Sequence, residues 1–435
     1  MSTVVISKSA PVVVRPSQPV VKTSGSKIVL SPMDKPIAMM PMTVLLAFEH
    51  PIIHHHDTVE AIKRGLAQAL VPYYPIAGRL SCDGDLYIDC TGELGVTFVA
   101  ASANCTMEEL MCLVDNQPPD AETAVVQQLA FNCTADDLPH RLLWVQVTTL
   151  SCGGFVIGVT WNHGLADGFG VAQILQAVGE LARGLPSPSV IPVRLDHNAT
   201  TQAVSPFTMA VLQLMNSHKA SHPDLIKFNN ITIPSSLVDR IIRRRTNVNV
   251  TVFEAVAAVL WQCRTRAVMK NPEAPAVLLF AVNARKYLGA KDGYYGNCST
   301  MQMATAKSGA VANGDIMDVV GMIRRAKERI PEQLKTGGEV MIGEKLQLNE
   351  YESLLYLTSW RNIGFEEVDF GSGKTARVMT YPQRVAVLSM MERSCMPICI
   401  MLKATQEGAR VMSACVSAHH ADAFHHEIAN LNVTA

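Results

Sequence analysis

The sequence predicts a mixed α/β fold arranged in two lobes. Short apolar runs with strand character alternate with amphipathic helices along the chain, a pattern typical of α/β architecture. The 435 residues exceed what one ordinary hydrophobic core accommodates. A stretch rich in Pro, Ser and Asn follows residue 184, and we interpret it as a connection. The predicted division is an N-terminal lobe over 1–184, a linker over 185–222 and a C-terminal lobe over 223–435.

Composition narrows the class of protein. Hydrophobic residues make up 48% and charged residues 17% of the chain, enough apolar surface for large cores and too little charge for disorder. A formal net charge of −1 gives no indication of nucleic acid or an anionic membrane as partner. The 11 cysteines lack paired spacing and are expected to be reduced thiols. Without a signal peptide or a long apolar run, we expect a cytoplasmic protein that does not bind a membrane.

The N-terminal lobe begins with a helix and a hairpin. Apolar residues recur at helical spacing over 58–70, and Asp57 is placed to cap that helix. Pro72 and Pro75 then end it, because proline forces the preceding residue out of the helical region. The D-G-D sequence at 83–85 indicates a hairpin turn.

Two predicted strands and a predicted helix flank a histidine-containing segment at 162–168. Residues 142–150 and 155–161 have strand character, and the glycine pair between them suits a hairpin turn. The sequence N-H-G-L-A-D-G follows at 162–168, and the apolar periodicity after it predicts a helix.

The C-terminal lobe has its own predicted elements. Helices are expected over 252–267 and 316–330, with a strand over 277–282 between them. A further helix is expected near 207–216, within the linker. The chain shows no internal repeat at a fixed short period.

His163 and Asp167 form an H-x-x-x-D pattern that is suited to proton transfer. The histidine leaves a buried strand and enters a glycine-bounded turn, where a side chain can reach a cleft. Its reference pKa near 6.5 suits a group that takes up a proton near neutrality. The alternative is structural: Asp167 stands just before a helix and could be its N-cap, and His163 could be a buried side chain satisfied by backbone.

Three further segments accompany this pattern, in a fixed order along the chain. They are Y-P-I-A-G-R-L at 74–80, N-A-R at 283–285 with G-Y-Y-G-N at 293–297, and T-S-W at 358–360 with D-F-G-S-G at 369–373. Together with H-x-x-x-D-G, these segments closely resemble the motifs of the plant BAHD acyltransferase family. The resemblance covers essentially the whole chain. Two positions depart from it: Ser372 replaces a common tryptophan, and Asn162 replaces a frequent second histidine.

The resemblance implies a fold of two chloramphenicol acetyltransferase-like lobes with a solvent channel at their interface. It implies an acyl-CoA-dependent acyltransferase of plant specialised metabolism that acts on an alcohol or amine. His163 would take the acceptor's proton and pass it to the departing CoA thiolate. No metal and no permanently bound cofactor would be needed, because acyl-CoA is a co-substrate. We expect a monomer.

Roles for other residues also follow from the resemblance. Thr358 and Trp360 would face the reaction and donate to the oxyanion, although Trp360 could equally be core packing. Asp167 would pair with Arg285 and hold the histidine loop, a loop that we also expect the D-F-G-S-G segment to support through Asp369 and Gly371. The helix start at Thr251 would border the CoA entrance. Arginines at 240 and 243–245 could contact CoA phosphates or form a solvated basic face.

Several functions remain open on the sequence alone. An aromatic acyl donor, benzoyl or hydroxycinnamoyl, is the expectation, with acetyl or another aliphatic donor as the alternative. A condensation-type domain that takes acyl groups from a carrier protein would use the same fold. A catalytically silent small-molecule binder is the alternative from outside the enzymes.

Overall fold

The computed structural model describes residues 4–22, 25–52, 57–91, 94–116, 125–134, 136–138, 140–195, 229–244, 249–336, 351–380 and 397–434. The predicted helix near 207–216 and most of the predicted linker lie outside the described residues. The described chain divides into two compact units, each built around its own sheet. Unit 1 comprises Met1–Gln202, Leu288–Cys298 and Asn362–Val387. Unit 2 comprises Ala203–Tyr287, Ser299–Arg361 and Leu388–Ala435.

Unit 1 contains a large sheet with the order β1-β7-β8-β9-β4-β14, with β2 also pairing with β7. Its strands are β1 (Ile6–Lys8), β2 (Val12–Val14), β4 (Pro41–Phe48), β7 (Val96–Ala103), β8 (Leu143–Leu150), β9 (Phe155–Asn162) and β14 (Arg377–Met379). A small sheet is formed by β3 (Lys27–Val29), β5 (Arg79–Asp83) and β6 (Asp85–Asp89). The helices are α1 (Thr58–Ala69), α2 (Met107–Asn116) and α3 (Gly168–Ala182).

Helices α1 and α3 pack against each other because a glycine lets their backbones approach. A Cβ at Gly65 of α1 would lie 2.6 Å from the carbonyl oxygen of Val178 in α3. The strand that leads into α3, β9, is buried along its whole length. It pairs with β4 on one side and β8 on the other, so its end is fixed from both sides.

Unit 2 contains a second sheet with the order β10-β16-β15-β13-β11-β12. Its strands are β10 (Asn229–Pro234), β11 (Pro275–Asn283), β12 (Ser299–Lys307), β13 (Leu354–Ser359), β15 (Ile398–Met401) and β16 (Gly408–Ala414). Its helices are α4 (Ser235–Arg243), α5 (Val252–Val268), α6 (Arg285–Leu288, at the unit boundary), α7 (Ser308–Asn313), α8 (Ile316–Glu328), α9 (Ile330–Thr336) and α10 (Ala418–Thr434). Helix α5 lies at the centre of the core, and α8 and α10 pack against it.

The predicted mixed α/β class is confirmed, and so are the principal elements. Helices α1, α5 and α8 begin where the sequence predicts and end within two residues of the prediction. The two hairpins are confirmed too, with positive φ at Gly84 and Gly153 in their turns. Within the described ranges, no helix combines the length and apolar character needed to cross a membrane.

The grouping of segments differs from the predicted lobes of 1–184 and 223–435. Two pieces of the C-terminal range belong to unit 1. One carries β14, where Arg377 pairs with Ala47 of β4. The other is bridged by its Tyr294 to Val193. These pairings join segments far apart in sequence, which local patterns do not reveal.

Candidate active site

The turn after β9 holds His163 through backbone and amide hydrogen bonds. The backbone N–H of His163 donates to the carbonyl of Met40 at 2.8 Å. The side-chain oxygen of Asn162 accepts from the backbone N–H of Met39 at 3.1 Å and from that of Gly164 at 2.9 Å. Asn162 therefore fixes the turn that precedes α3.

Only glycine fits directly after the histidine. A Cβ at Gly164 would lie 2.9 Å from Cα of Ala38, closer than real Cβ contacts come. Across the turn, Nε1 of Trp161 donates to the carbonyl of Ala166 at 3.0 Å. The loop is therefore closed on itself and packed against neighbouring backbone.

Asp167 is the N-cap of α3 and also joins that helix to a distant segment. One carboxylate oxygen accepts from the backbone N–H of Gly170 at 3.0 Å, the capping bond expected at a helix start. The other accepts from the backbone N–H of Cys298 at 3.0 Å. The structure thus shows the capping arrangement that the sequence left as an alternative, and adds an anchor for the segment that ends the G-Y-Y-G-N motif.

That motif supplies a direct partner for the histidine. Nδ1 of His163 lies 3.1 Å from the side-chain oxygen of Asn297. The side-chain nitrogen of Asn297 donates to the backbone carbonyl of His163 at 2.7 Å. Asn297 is only 1% exposed. The sequence singled out its motif but assigned no role to this residue.

Two further charged residues complete the surroundings, and sequence reasoning missed both. Asp34 is fully buried and Arg194 is 2% exposed, and their side chains form an ion pair at 2.9 Å. The carboxylate of Asp34 also accepts from the side-chain nitrogen of Asn297 at 2.8 Å. Asp34 lies in the turn directly before a short 3-10 helix (Lys35–Ile37), Arg194 lies in the segment after α3, and neither belongs to a motif. Only three-dimensional structure connects them to the histidine.

The electrostatics favour neutral His163 near pH 7. Burial lowers the pKa of His163 below its ordinary value, although its bond to Asn297 and the negative charges of Asp167 and Asp34 oppose the decrease. A neutral imidazole is the form that accepts a proton. The half-buried ring therefore has the protonation state needed by a general base.

Close contact between α3 and the motif backbone fixes the distance between the two. A Cβ at Gly170 would overlap the carbonyl oxygen of Tyr295. The ring of Tyr295 packs against that of Tyr73 with centroids 5.2 Å apart. The first motif, at 74–80, thus follows a residue that contacts the G-Y-Y-G-N motif.

The D-F-G-S-G segment packs against the far end of α3. The carboxylate of Asp369 forms an ion pair with Arg183 at 2.9 Å and accepts from the backbone N–H of Gly371 at 2.7 Å. Gly371 has a φ of 99°, which favours glycine. Phe370 contacts Phe48 edge-on, with ring centroids 5.4 Å apart. Asp369 and Gly371 are therefore placed to hold the helix that carries Asp167.

Thr358 and Trp360 lie at the end of β13 in unit 2. Thr358 is half-buried on that strand, and Trp360 is 6% exposed. The backbone N–H of Trp360 donates to Met401 of the neighbouring strand at 2.8 Å. The burial of Trp360 is what the core-packing alternative expects.

Arg285 and Thr251 also lie in unit 2. The backbone N–H of Arg285 donates to the side-chain oxygen of Asn283 at 3.0 Å, directly after β11. Thr251 is the N-cap of α5 and forms a capping box with Glu254: its hydroxyl accepts from the Glu254 N–H at 3.2 Å, and the Glu254 carboxylate accepts from the Thr251 N–H at 2.8 Å. The Thr251 hydroxyl can still donate its own proton to a ligand.

The arginines before Thr251 have protein partners. One terminal nitrogen of Arg244 donates to both carboxylate oxygens of Asp315, at 2.6 and 2.8 Å. Arg243 contacts Asp239 at 3.4 Å, one helical turn earlier. These contacts fit the solvated basic face that the sequence left open, and Arg245 lies outside the described residues.

Comparison with known proteins agrees with the fold and motifs. The model of a family described as "Transferase family" matches residues 4–416. Acyl transferase 15 of rice is 71% identical over 99% of both chains. A myricetin 3-O-glucosyl 1,2-rhamnoside 6'-O-caffeoyltransferase of Crocosmia x crocosmiiflora is 30% identical over 97% of this chain and 98% of its own.

Solved structures show the same fold at low identity. Vinorine synthase superposes with a TM-score of 0.71 over 98% of both chains, at 18% identity. TRI101 of F. graminearum, in complex with coenzyme A and deoxynivalenol, superposes with a TM-score of 0.62 over 92% of this chain and 96% of its own, at 14% identity. The family model and the rice relative together show that the chain belongs to the Transferase family, the family of the BAHD acyltransferases, and that it is an acyltransferase.

Proposed function

We propose that this acyltransferase moves an aromatic acyl group from coenzyme A to an alcohol or amine of plant specialised metabolism. The motif resemblance supports acyl-CoA as donor, and TRI101, which shares the fold, binds coenzyme A. An aromatic donor is supported by the caffeoyltransferase relative. The proposal includes a cytoplasmic enzyme that works as a monomer. An acetyl or other aliphatic donor would use the same chemistry.

The proposed mechanism assigns proton transfer to His163. An acyl thioester is already activated, so the remaining requirement is to remove the acceptor's proton as it attacks. Neutral His163 would take that proton and then deliver it to the departing thiolate of coenzyme A. The observation that carries the proposal is the placement of His163: it directly follows a buried strand, burial lowers its pKa, and Asn297 holds its Nδ1.

Other residues would support that step. Thr358 or Trp360 would donate to the oxyanion of the tetrahedral intermediate, an interaction worth about 2.7–4 kcal/mol in other acyl-transfer sites. Asp167 would pair with Arg285 and keep the histidine turn in place, in addition to its capping bond. Thr251 would lie at the CoA entrance, where a helix start favours anionic groups.

The test is a panel of acyl-CoA donors incubated with mixed alcohols and amines. Products would be read by mass spectrometry and free CoA thiol by its release rate. We expect aromatic donors to give higher kcat/KM than acetyl-CoA. Preference for acetyl-CoA would select the aliphatic alternative. Turnover only with carrier-bound acyl groups would indicate the condensation-type alternative, and no thiol release with any donor would indicate a silent binder.

A further inference from the structure

We propose that the buried Asp34–Arg194 ion pair positions His163 for catalysis by fixing, through Asn297, which nitrogen of the imidazole carries the proton. The inference rests on the proposed role of His163 as the base. Asp34 and Arg194 are positioning residues, because they act on the histidine through Asn297 rather than on substrate.

The first step concerns the orientation of the Asn297 amide. One side-chain atom of Asn297 lies 2.8 Å from Asp34 Oδ1 and 2.7 Å from the backbone carbonyl of His163. Both of those partners are oxygens that only accept hydrogen bonds when Asp34 is ionised. The atom between them must therefore be the NH₂ group, which has two hydrogens to donate. The opposite orientation would place three acceptors together in a buried site.

The second step concerns the tautomer of His163. Once the NH₂ group faces Asp34, the amide oxygen of Asn297 must face Nδ1 of His163, 3.1 Å away. An amide oxygen only accepts, so Nδ1 has to carry the proton in the neutral ring. Nε2 is then unprotonated and is the atom that can accept a proton from the acceptor substrate.

The third step concerns why Asp34 stays ionised. Its two oxygens receive donors only: the backbone N–H and side-chain NH₂ of Asn297 on Oδ1, and the backbone N–H of Ser31 and the guanidinium of Arg194 on Oδ2. A protonated carboxyl would have to donate its proton to an acceptor, and none of these four partners can accept one. Burial alone would lower the pKa of Arg194, but its attraction to Asp34, acting together with Tyr294, Tyr295 and the hydrogen bond to Asp34, raises the pKa above its ordinary value. Both members are therefore charged.

The test is the variant Asp34→Asn, examined by ¹⁵N NMR of histidine-labelled protein without substrate. An amide at position 34 can donate as well as accept, so Asn297 is no longer held in one orientation. Wild type is expected to show His163 protonated at Nδ1 only, and the variant a mixture with the Nε2-protonated form. We expect kcat to fall at least about tenfold, since a wrong tautomer removes the base, with KM within about threefold.

The matched control is Asp115→Asn. Asp115 is paired with Arg377 in the same unit, so the variant makes the same chemical change at an Asp–Arg pair whose carboxylate is exposed. It is expected to leave both the tautomer and kcat at wild-type values. Arg194→Lys, which keeps the charge, is expected to preserve the tautomer and to retain more activity than Arg194→Met.

A cycle with Asn297→Ala tests the route. If Asp34 acts through Asn297, Asp34→Asn should lower kcat much less in the Asn297→Ala background than in wild type. Equal losses in both backgrounds, or a variant Asp34→Asn with wild-type tautomer and kcat, would overturn the proposal. Should Asp34→Asn not fold, Asn297→Ala alone decides: an unchanged, pure Nδ1-protonated signal rejects the link. The NMR signal is independent of turnover, so a failure of His163 as base would be recognised separately.

Discussion

Helices α3 and α5 both begin at a side-chain cap, yet the two caps differ in reach. In α5 the capping box is local: Thr251 and Glu254 satisfy each other's backbone, and Glu254 uses its remaining capacity on Arg324 and Lys327 of α8. In α3 the cap Asp167 spends one oxygen on its own helix and the other on Cys298, 131 residues later. The cap of α5 stabilises that helix and its contact with α8. The cap of α3 also binds the segment that contains Asn297, the partner of His163.

A buried carboxylate lies near the start of each helix, Glu254 at α5 and Asp34 near the turn before α3, and the two have different partners. Glu254 accepts hydrogen bonds from the Thr251 N–H and from Arg324 and Lys327, which join α5 to α8. Asp34 is instead two hydrogen bonds away from His163, through Asn297. A buried carboxylate with basic partners is therefore not by itself a sign of catalysis. Asp34 differs from Glu254 because its hydrogen bonds lead, through Asn297, to His163, whose imidazole can take up and release a proton.

The largest effect is expected from variants that test whether Asp167, the cap of α3, also pairs with Arg285. If Asp167 and Arg285 form one pair, Asp167→Asn and Arg285→Ala should each lower both activity and the free energy of unfolding, because a buried charge loses its partner. Losses of about 3–5 kcal/mol are typical for such a break. The double variant, measured by urea unfolding, should lose less than the sum of the two. Additive losses would mean that Arg285 has another function.

Two matched glycines test the close packing at the start of α3. Gly170→Ala would push a Cβ into the carbonyl of Tyr295, so we expect a loss near the upper end of the usual 1–3 kcal/mol for overpacking. Gly321→Ala in α8 meets only the flexible end of Arg325, at 3.3 Å. It should instead stabilise the helix by about 0.5–1 kcal/mol. Thermal unfolding of both variants decides, and equal effects would contradict the packing described.

The charge of Glu254 in the α5 cap should make the stability of the protein depend on pH. Burial would raise the pKa of Glu254, but hydrogen bonds from Arg324, the Thr251 N–H and Lys327 outweigh burial and lower the pKa from 4.5 to about 2. A lowered pKa means that the stabilisation is complete above pH 4.5 and is lost as the pH falls toward 2.

Glu254→Gln retains the capping geometry and removes the charge. It should cost about 1–2 kcal/mol at pH 7, since hydrogen bonds to charged groups contribute on the order of 1.5–3 kcal/mol and Lys327 is partly exposed. The difference from wild type should shrink between pH 4.5 and 3 in urea unfolding. A difference that stays constant over that range would show that the charge is not responsible. Activity per folded molecule should change much less than in Asp34→Asn.

The smallest effect is expected at Ser372, where the chain departs from its family. The hydroxyl of Ser372 is buried and has no hydrogen-bond partner among the described residues. Ser372→Ala therefore breaks no bond and should leave kcat/KM within about threefold, a change below about 0.7 kcal/mol. A larger loss would show that this hydroxyl binds or reacts with substrate. Ser372→Trp tests the space, since overpacking typically costs about 1–3 kcal/mol.

Features that depend on neighbouring residues can be predicted from the sequence, whereas contacts between distant segments cannot. The helix cap at Asp57 and the hairpin at Gly84 depend on residues a few positions apart, so local chemistry predicts them. The link from Asp34 to Asn297 spans 263 residues, and Asp34 lies in no motif. His163 and Asp167 were predicted from motif and position, but their hydrogen-bond partners Asn297 and Cys298 come from a segment that only the fold brings near.

The most direct test of the central claim is the pH profile of kcat/KM for wild type and His163→Ala. Because burial lowers the pKa of His163, wild-type activity should rise with pH through a midpoint below 6.5 and then level off as the imidazole becomes neutral. His163→Ala should lose at least about 10²-fold in kcat and show no such rise. A folded His163→Ala enzyme with near-wild-type kcat, or one that keeps the same pH midpoint, would contradict the assignment of His163 as the base.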